Sequence, residues 1–227
     1  MATNELHLDI LPPSQRRLWD ELIDVPGVFT LYGGTAIALQ IGHRDSADFD
    51  FFAFESFQPR DFSTTIPFLQ SAEIIQQAKN TLTCLIERGG PVQISFFGVP
   101  NLSPIKDPII AQDNGVKIAS LLDLAGMKAA VVQQRPEAKD YIDLATMIEK
   151  EVTDLPTALA AAKLIYGLSF NPELTLKALS YYDDGNLKTI PVHHKERLLH
   201  AVRAVDLDRL PVLNRSRVQS HDQGFEQ

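Results

Sequence analysis

Two aspartates separated by a single residue, Asp48 and Asp50, stand out as groups that could do chemistry. On a β-strand, side chains two residues apart point to the same face, so the two carboxylates would project together, about 6 to 7 Å apart. Carboxylates this close repel each other unless a cation lies between them. Oxygen ligands of this kind suit Mg²⁺ or a similar hard divalent ion, so the pair predicts a metal site.

A Gly-Gly-Thr motif, residues 33–35, precedes the aspartates, with twelve residues between Thr35 and Asp48. Gly33 and Gly34 lie just before a predicted helix, where free N–H groups and the helix dipole attract anions. Glycine lets a phosphate approach the backbone closely, and Thr35 adds a hydroxyl. Either motif alone is common on ordinary turns and strands. In this order and spacing they indicate a phosphate site beside a metal site, as nucleotidyl transfer requires.

The secondary structure predicted around these motifs is a mixture of strands and helices, typical of an α/β fold. Residues 28–32 form a short β-type run, residues 34–42 contain good helix formers and a closing glycine, and residues 48–54 alternate as a strand does. Residues 59–70 predict a helix. Two apolar runs flanking Gly89-Gly90-Pro91 predict a β-hairpin.

From about residue 117 onward the apolar spacing becomes mostly helical. We therefore expect an α/β core over residues 1–112 and a helical C-terminal domain over residues 113–227, with a soft boundary near 105–116. The predicted fold class is α/β (α+β): a small mixed sheet flanked by helices, followed by a mainly helical C-terminal part.

Composition narrows the function classes. The chain has 227 residues, 44% of them apolar, and a formal net charge of -8, which disfavours a non-specific nucleic-acid coat because phosphate contacts need Lys and Arg. A single cysteine, Cys84, excludes an intramolecular disulfide and a multi-cysteine metal site. Neither a secretory signal pattern nor a membrane-length apolar run is present, so we expect a cytoplasmic protein with no membrane partner.

The string GGTAIALQIGHRDSADFDFF, residues 33–52, resembles the AbiEii/AbiGii-type toxin nucleotidyltransferases, which belong to the polymerase-β-like nucleotidyltransferase superfamily. Three later blocks resemble the same family in the same order, and the resemblance covers roughly residues 28–185. These blocks are residues 80–97, 116–147 and 174–184.

The resemblance implies a role for each matching residue. The triphosphate of a nucleoside triphosphate would be held by Gly33, Gly34 and Thr35, and Mg²⁺ or Mn²⁺ by Asp48 and Asp50. In the later blocks, Lys128 is expected to touch a phosphate, although a lysine on an apolar helix can also extend to solvent while its stem packs. Asp140 and Asp143 are three residues apart on a predicted helix and share a face, as a base or an outer metal ligand would.

Three other polar positions are less specific. Arg44 enters the Asp-x-Asp strand and could either pair with Asp45 or bind a nucleotide phosphate. The adjacent His193 and His194 lack further ligands at metal spacing, so we expect a surface role for them.

One departure from the family pattern concerns a third carboxylate, which many polymerase-β-like enzymes carry on a later strand. The candidate strand here offers Gln93 and Ser95 instead. Three possibilities follow: one metal suffices, or Asp140 or Asp143 supplies the missing oxygen, or the protein binds nucleotide without turning it over.

The leading hypothesis is therefore an Mg²⁺-dependent nucleotidyltransferase that moves a nucleoside monophosphate from a nucleoside triphosphate to an acceptor hydroxyl on RNA, such as tRNA, or on protein. By family analogy it would be the toxin of a toxin–antitoxin system with a cognate antitoxin. The alternative is a catalytically decayed nucleotide-binding or partner-binding protein of the same fold.

Overall fold

The computed structural model describes residues 5–216, apart from the side chains of Asp61, Ser63 and Thr64. The strands are β1 Thr30–Tyr32, β2 Asp48–Ala53, β3 Glu73–Ala78, β4 Thr81–Glu87, β5 Pro91–Gly98, β6 Ile109–Ile110 and β7 Lys117–Ile118. The α-helices are α1 Pro13–Trp19, α2 Gly33–Ile41, α3 Pro59–Thr65, α4 Leu121–Val131, α5 Ala138–Glu149, α6 Leu155–Tyr166, α7 Pro172–Ala178 and α8 Val192–Arg203.

The strands of the described chain form one mixed sheet in the order β3-β4-β5-β2-β1-β7-β6. Strand β2 lies near its centre, antiparallel to β1 and parallel to β5. The register places Asp50 beside Tyr32 on one side and Ser95 on the other. The predicted mixed α/β fold class is confirmed.

Alternation along β2 separates its two faces. Phe49, Phe51 and Ala53 are buried, whereas the residues between them are partly exposed. The Phe51 ring stacks on Phe96 of β5 with centroids 5.5 Å apart. Because side chains alternate across a strand, this aromatic core orients Asp48, Asp50 and Phe52 toward the opposite face.

The hairpin predicted around Gly89-Gly90 is present as β4 and β5, which pair antiparallel from Thr81 opposite Phe97 to Glu87 opposite Pro91. Strands β3, β6 and β7 were not predicted. All six residues of β3 are exposed at the edge of the sheet, so its apolar pattern carries no burial signal. Strands β6 and β7 have two residues each, which is too short for a periodicity to emerge.

Helix α4 carries Lys128 and packs closely against α6. A Cβ on Gly126 would lie 2.8 Å from the Ala161 Cβ and 2.9 Å from backbone atoms of α6, so only glycine permits this approach. Ser120 caps the start of α4 by accepting a hydrogen bond from the Asp123 backbone N–H, which satisfies one of the free donors at the helix start.

The predicted domain boundary falls in the turn between β6 and β7. Strand β7 then pairs in parallel with β1, with Leu31 opposite Ile118, so the chain returns to the sheet before the helical part begins. The division into two domains stays a prediction, and residues 217–227 lie outside the described residues. Within residues 5–216, each helix is too short or too polar to cross a membrane.

Candidate active site

Asp48 and Asp50 lie on the partly exposed face of β2 and line one cleft of about 250 Å³. The start of α2 borders the same cleft, so the two motifs singled out in the sequence are brought together. The other lining residues come from the turn before β2 and from α4, α5 and the segment between them: Arg44, Asp45, Ser46, Ala47, Lys128, Arg135 and Lys139.

Gly33 begins α2 with a φ of 74°, a left-handed conformation that side chains disfavour. A Cβ at this position would lie 2.8 Å from Oδ2 of Asp50, so glycine is also required by space. The start of α2 receives no side-chain cap hydrogen bond. Its first N–H groups are therefore available to an anion in the cleft.

Thr35 lies in the first turn of α2, but it is not among the residues that line the cleft. The side chain is buried; its hydroxyl donates a hydrogen bond to the backbone carbonyl of Asp48 and shares a second, 2.7 Å long, with the hydroxyl of Ser46. In this arrangement the hydroxyl connects α2 to the start of β2, and so positions the glycine pair relative to the aspartates.

Asp143 of α5 is fully buried and is surrounded by three basic side chains. Arg44 donates to it twice, from Nε at 2.7 Å and from Nη2 at 2.9 Å. Lys128 Nζ lies 2.7 Å from Oδ2, and His43 Nε2 lies 2.7 Å from Oδ1. The Arg44 guanidinium also donates to the Asp45 carbonyl, so the arginine contacts Asp45 through its backbone and not its carboxylate.

Asp140 forms the second half of this network. Its carboxylate, also fully buried, accepts a 2.6 Å hydrogen bond from Lys128 and a 2.8 Å hydrogen bond from Nε of Arg135. Lys128 thus bridges Asp140 and Asp143, and its ammonium does not extend to bulk solvent. Arg135 was missed in the sequence because it lies in the segment between α4 and α5, where no local pattern indicates its contact with Asp140.

The pKa values of these carboxyls follow their surroundings. Burial alone would raise the pKa of Asp143, but the charge of Lys128 and hydrogen bonds from His43 and Arg44 outweigh it and hold the pKa well below its usual range. The pKa of Asp140 is lowered in the same way, with Lys128 and Arg135 outweighing burial. Both side chains are therefore carboxylates at neutral pH.

Asp50 behaves in the opposite way. Burial, followed by the negative charge of Asp48, raises its pKa. Within the described residues neither Asp48 nor Asp50 makes an ion pair, in contrast to Asp140 and Asp143. Two neighbouring carboxylates that line an open cleft fit a hard divalent cation, which would relieve their repulsion.

Ser95 occupies the position of the expected third carboxylate. It lies opposite Asp50 in the register of β5 and β2, is buried, and shares a side-chain hydrogen bond with Asp50. Thr83 of β4 contacts its hydroxyl at 3.3 Å. Gln93, beside Asp48, is exposed. Strand β5 therefore contributes a neutral hydroxyl to this site and no charge.

A second cavity of about 300 Å³ adjoins the cleft and shares Gly33, Asp50, Lys128 and Arg135 with it. Its walls are mostly apolar. Phe52 and Phe97 lie side by side on the sheet with ring centroids 5.2 Å apart, and α4 and the residues after it complete the cavity with Leu124, Met127, Val131 and Gln134. These residues lie in the segments that resemble the family, but the sequence assigned none of them a role in a site, so it did not reveal this cavity.

Comparison with known proteins places this geometry in a family. Residues 18–211 match the family described as nucleotidyl transferase AbiEii toxin, type IV TA system. An uncharacterized protein of Aquifex aeolicus (strain VF5) is 34% identical over 159 residues, which cover 69% of this chain and 74% of the relative.

Solved structures show the same fold. MenT4, a nucleotidyltransferase toxin of Mycobacterium tuberculosis H37Rv, superimposes with a TM-score of 0.57 at 14% identity, covering 88% of this chain and 84% of MenT4. A crystal structure from H. pylori, of a protein designated a nucleotidyltransferase, gives a TM-score of 0.51 at 18% identity, covering 83% of this chain and 90% of the other. With the family match over most of its length, the chain belongs to the AbiEii family of toxin nucleotidyltransferases, as its motifs predict.

Proposed function

We propose that this protein transfers a nucleoside monophosphate from a nucleoside triphosphate to an acceptor hydroxyl in an Mg²⁺-dependent reaction. One observation carries the proposal: the uncapped start of α2 at Gly33 and the Asp48–Asp50 pair line one cleft. A phosphate chain bound by the helix start would thus lie beside the metal ligands.

Two basic side chains complete the triphosphate site. Lys128 and Arg44 line the cleft, and both are held by Asp143. Fixed cations in a partly desolvated cleft stabilise the negative charge that develops on the phosphates during transfer, without reorganisation at the moment of reaction. We assign phosphate binding to both residues and further phosphate contacts to the backbone of Gly33 and Gly34.

Asp140 and Asp143 then act as positioning residues. Every oxygen of the two carboxylates faces a basic group within 2.9 Å, and their lowered pKa values make them weak bases. This arrangement favours the holding of Lys128 and Arg44 over proton abstraction or metal ligation by either aspartate. The proposed metal ligands remain Asp48 and Asp50.

In the transfer step, the acceptor oxygen attacks the α-phosphorus and its proton passes to solvent water. A new oxygen–phosphorus bond forms, the bond from the α-phosphorus to the bridging oxygen breaks, and pyrophosphate leaves. Mg²⁺ or Mn²⁺ bound by Asp48 and Asp50 would supply polarisation of the α-phosphate and neutralisation of the leaving group. Lys128 and Arg44 hold the departing phosphates in line.

The nucleoside is assigned to the neighbouring apolar cavity. Phe52 and Phe97 offer an aromatic surface on which a base can stack. The side-chain amide of Gln134, which lines the same cavity, can both donate and accept hydrogen bonds to the base. Gly33, Asp50 and Lys128 border both cavities. This adjacency suits one nucleoside triphosphate whose phosphates lie in the first cavity and whose base lies in the second.

The acceptor hydroxyl is on RNA, such as tRNA, or on protein. The exposed side chains of Lys139 and Arg135 at the rim of the cleft are suited to the phosphates of an RNA acceptor. Family membership also supports a role as the toxin of a toxin–antitoxin system, with a cognate antitoxin as partner.

Ser95 supports a second candidate function. A hydroxyl in place of the third carboxylate suits a protein that binds nucleotide and does not turn it over. Calorimetry with each nucleoside triphosphate and a measurement of pyrophosphate release separate the two candidates. Tight binding with no pyrophosphate release, across RNA and protein acceptors, identifies the decayed enzyme.

The direct experiment measures incorporation of labelled nucleotide into cellular RNA and protein in the presence of Mg²⁺. We expect labelling by the wild type and its loss in the Asp48→Ala/Asp50→Ala variant. Equal labelling by the two proteins would contradict the assignment of Asp48 and Asp50 as the metal ligands. An Asp45→Ala variant is a matched control, because Asp45 is an exposed carboxylate that lines the same cleft.

A further inference from the structure

A cluster of three potential metal ligands lies away from the Asp48–Asp50 cleft, where α5 ends and α8 begins. Glu149 is the last residue of α5, and His193 and His194 are in the first turn of α8. One ligand atom from each of the three side chains lies within 4.8 Å of the other two. The sequence did not suggest this cluster, because Glu149 precedes the histidines by more than forty residues.

One polar atom of this cluster lacks a hydrogen-bond partner. Nδ1 of His194 is buried and has no hydrogen-bond partner. The nearest carboxylate oxygen, Oε2 of Glu149, is 3.7 Å away, beyond hydrogen-bond length. The His193 and His194 rings lie 4.0 Å apart at their centroids, so the two imidazoles are close neighbours at the start of α8.

Nδ1 of His194 suits metal ligation. It is buried, has no hydrogen-bond partner and lies 3.7 Å from Oε2 of Glu149. A deprotonated imidazole nitrogen in this position offers the lone pair that a metal ligand must supply. A bound cation would be ligated by this imidazole nitrogen and by the neighbouring carboxylate, and so would satisfy both groups.

We propose that Glu149, His193 and His194 form a binding site for Zn²⁺ or a transition metal of similar preference. Two imidazoles and one carboxylate suit zinc, nickel or copper, whereas Mg²⁺ prefers oxygen ligands throughout. One ligand atom of each residue lies within 4.8 Å of the other two, so the three groups would have to approach one another slightly to reach the roughly 2.0–2.2 Å bond lengths that zinc requires. Water would supply the fourth ligand.

A metal at this position joins the end of α5 to the start of α8, two helices that already pack together. Helix α5 also carries Asp140 and Asp143, the residues that hold Lys128 and Arg44. The site is distinct from the Asp48–Asp50 pair in both position and ligand chemistry. Its proposed effect is to stabilise the packing of α8 on α5, and it does not depend on the nucleotidyl-transfer proposal.

The test is calorimetric titration of the chelator-treated full-length protein with Zn²⁺, in the presence of excess Mg²⁺. We expect one Zn²⁺ per chain and a rise in Tm on binding. In Glu149→Gln and His193→Ala variants the affinity should fall about tenfold or more, because each loses one of three ligands. Both side chains are exposed, so neither substitution endangers folding.

Two controls make the assignment specific. His200→Ala removes an exposed histidine at the other end of α8 and should leave Zn²⁺ affinity unchanged. An Asp48→Asn/Asp50→Asn variant should bind Zn²⁺ as the wild type does. The proposal is overturned if the wild type shows no saturable Zn²⁺ binding, or if binding is lost in the Asp48/Asp50 variant and retained in Glu149→Gln and His193→Ala.

Discussion

Lys128 Nζ lies 2.7 Å from Oδ2 of Asp143, and the same carboxylate accepts two hydrogen bonds from Arg44. One fully buried aspartate therefore sets the positions of two of the cations that line the proposed triphosphate site. The residues come from α5, α4 and the turn after α2, so this carboxylate joins the helical part of the chain to the nucleotide-binding motif. Catalysis and stability should both depend on it.

The Asp143→Asn variant tests this dependence. Asparagine keeps the size of the side chain but leaves Lys128, Arg44 and His43 without their shared negative partner. Removing one member of a buried ion pair costs about 3–5 kcal/mol in the free energy of unfolding, and we expect kcat to fall by about 100-fold, as when one fixed charge-stabilising group is lost. Urea unfolding and steady-state assays below the Tm of the variant measure the two effects.

Asp183→Asn provides a control for the Asp143 variant. Asp183 pairs with Lys188 at 3.8 Å on the surface, and its side chain is 71% exposed. Its replacement should change stability by less than about 0.5 kcal/mol. An Asp143→Asn variant as stable and as active as Asp183→Asn would contradict the positioning role.

The free energy of unfolding should depend on pH through the carboxylates of Asp140 and Asp143. Since the pKa values of Asp140 and Asp143 are lowered on folding, the unfolded chain takes up protons first as the pH falls below about 4–5. Their contribution to stability is thus complete above this range and is lost below it, as the pH approaches the folded-state pKa values. Urea unfolding of the wild type between pH 6 and pH 3 should show this loss, and Asp143→Asn should show a smaller one. Equal slopes for the two proteins would refute the linkage.

The Asp50 carboxylate should lower the stability of the Mg²⁺-free protein while being required for transfer. Burial and the charge of Asp48 raise its pKa, so the ionised side chain opposes folding at neutral pH when no cation is present. Replacing it by asparagine should raise the Tm of the Mg²⁺-free protein by a few degrees, on the order of 2–4 °C, while abolishing transfer and the stabilisation by Mg²⁺. Thermal unfolding with and without Mg²⁺ measures both. A lower Tm for Mg²⁺-free Asp50→Asn would show that the carboxylate is structurally satisfied without a cation.

Phe97 tests the nucleoside assignment. Loss of a stacking ring costs about 1–3 kcal/mol per base, so Phe97→Ala should raise KM for the nucleoside triphosphate roughly tenfold, with a smaller effect on kcat. Phe54→Ala is the matched control, because Phe54 is partly buried on Tyr32 and lies outside both cavities. If the two alanine variants have the same KM, the base does not bind on Phe97.

The parts of this site that follow local rules could be predicted from the sequence. The alternation of Asp48 and Asp50 with Phe49 and Phe51 correctly separates two faces of β2, because strand periodicity acts between near neighbours. Gly42 ends α2 in the left-handed conformation expected of a helix C-cap. The hairpin of β4 and β5 followed from its turn residues in the same way.

The parts that depend on contacts distant in sequence could not be predicted. Arg44 and Asp143 are 99 residues apart, and nothing in the local pattern indicates that the arginine pairs with that aspartate and not with Asp45. Thr35 looks like a phosphate ligand in its motif, yet its hydroxyl is bound by Ser46 and the backbone of β2. Strand β3 lies exposed at the edge of the sheet, where burial imposes no readable pattern.

The central claim is transfer of a nucleoside monophosphate, and the position of the label in the substrate tests it most directly. The wild-type protein is incubated with Mg²⁺, cellular RNA and protein, and nucleoside triphosphate labelled at either the α- or the γ-phosphate. The account predicts that the α-label becomes attached to an acceptor, that the γ-label leaves as pyrophosphate, and that Asp48→Ala/Asp50→Ala abolishes both. Transfer of the γ-label to the acceptor, or release of no pyrophosphate with any acceptor, would contradict it.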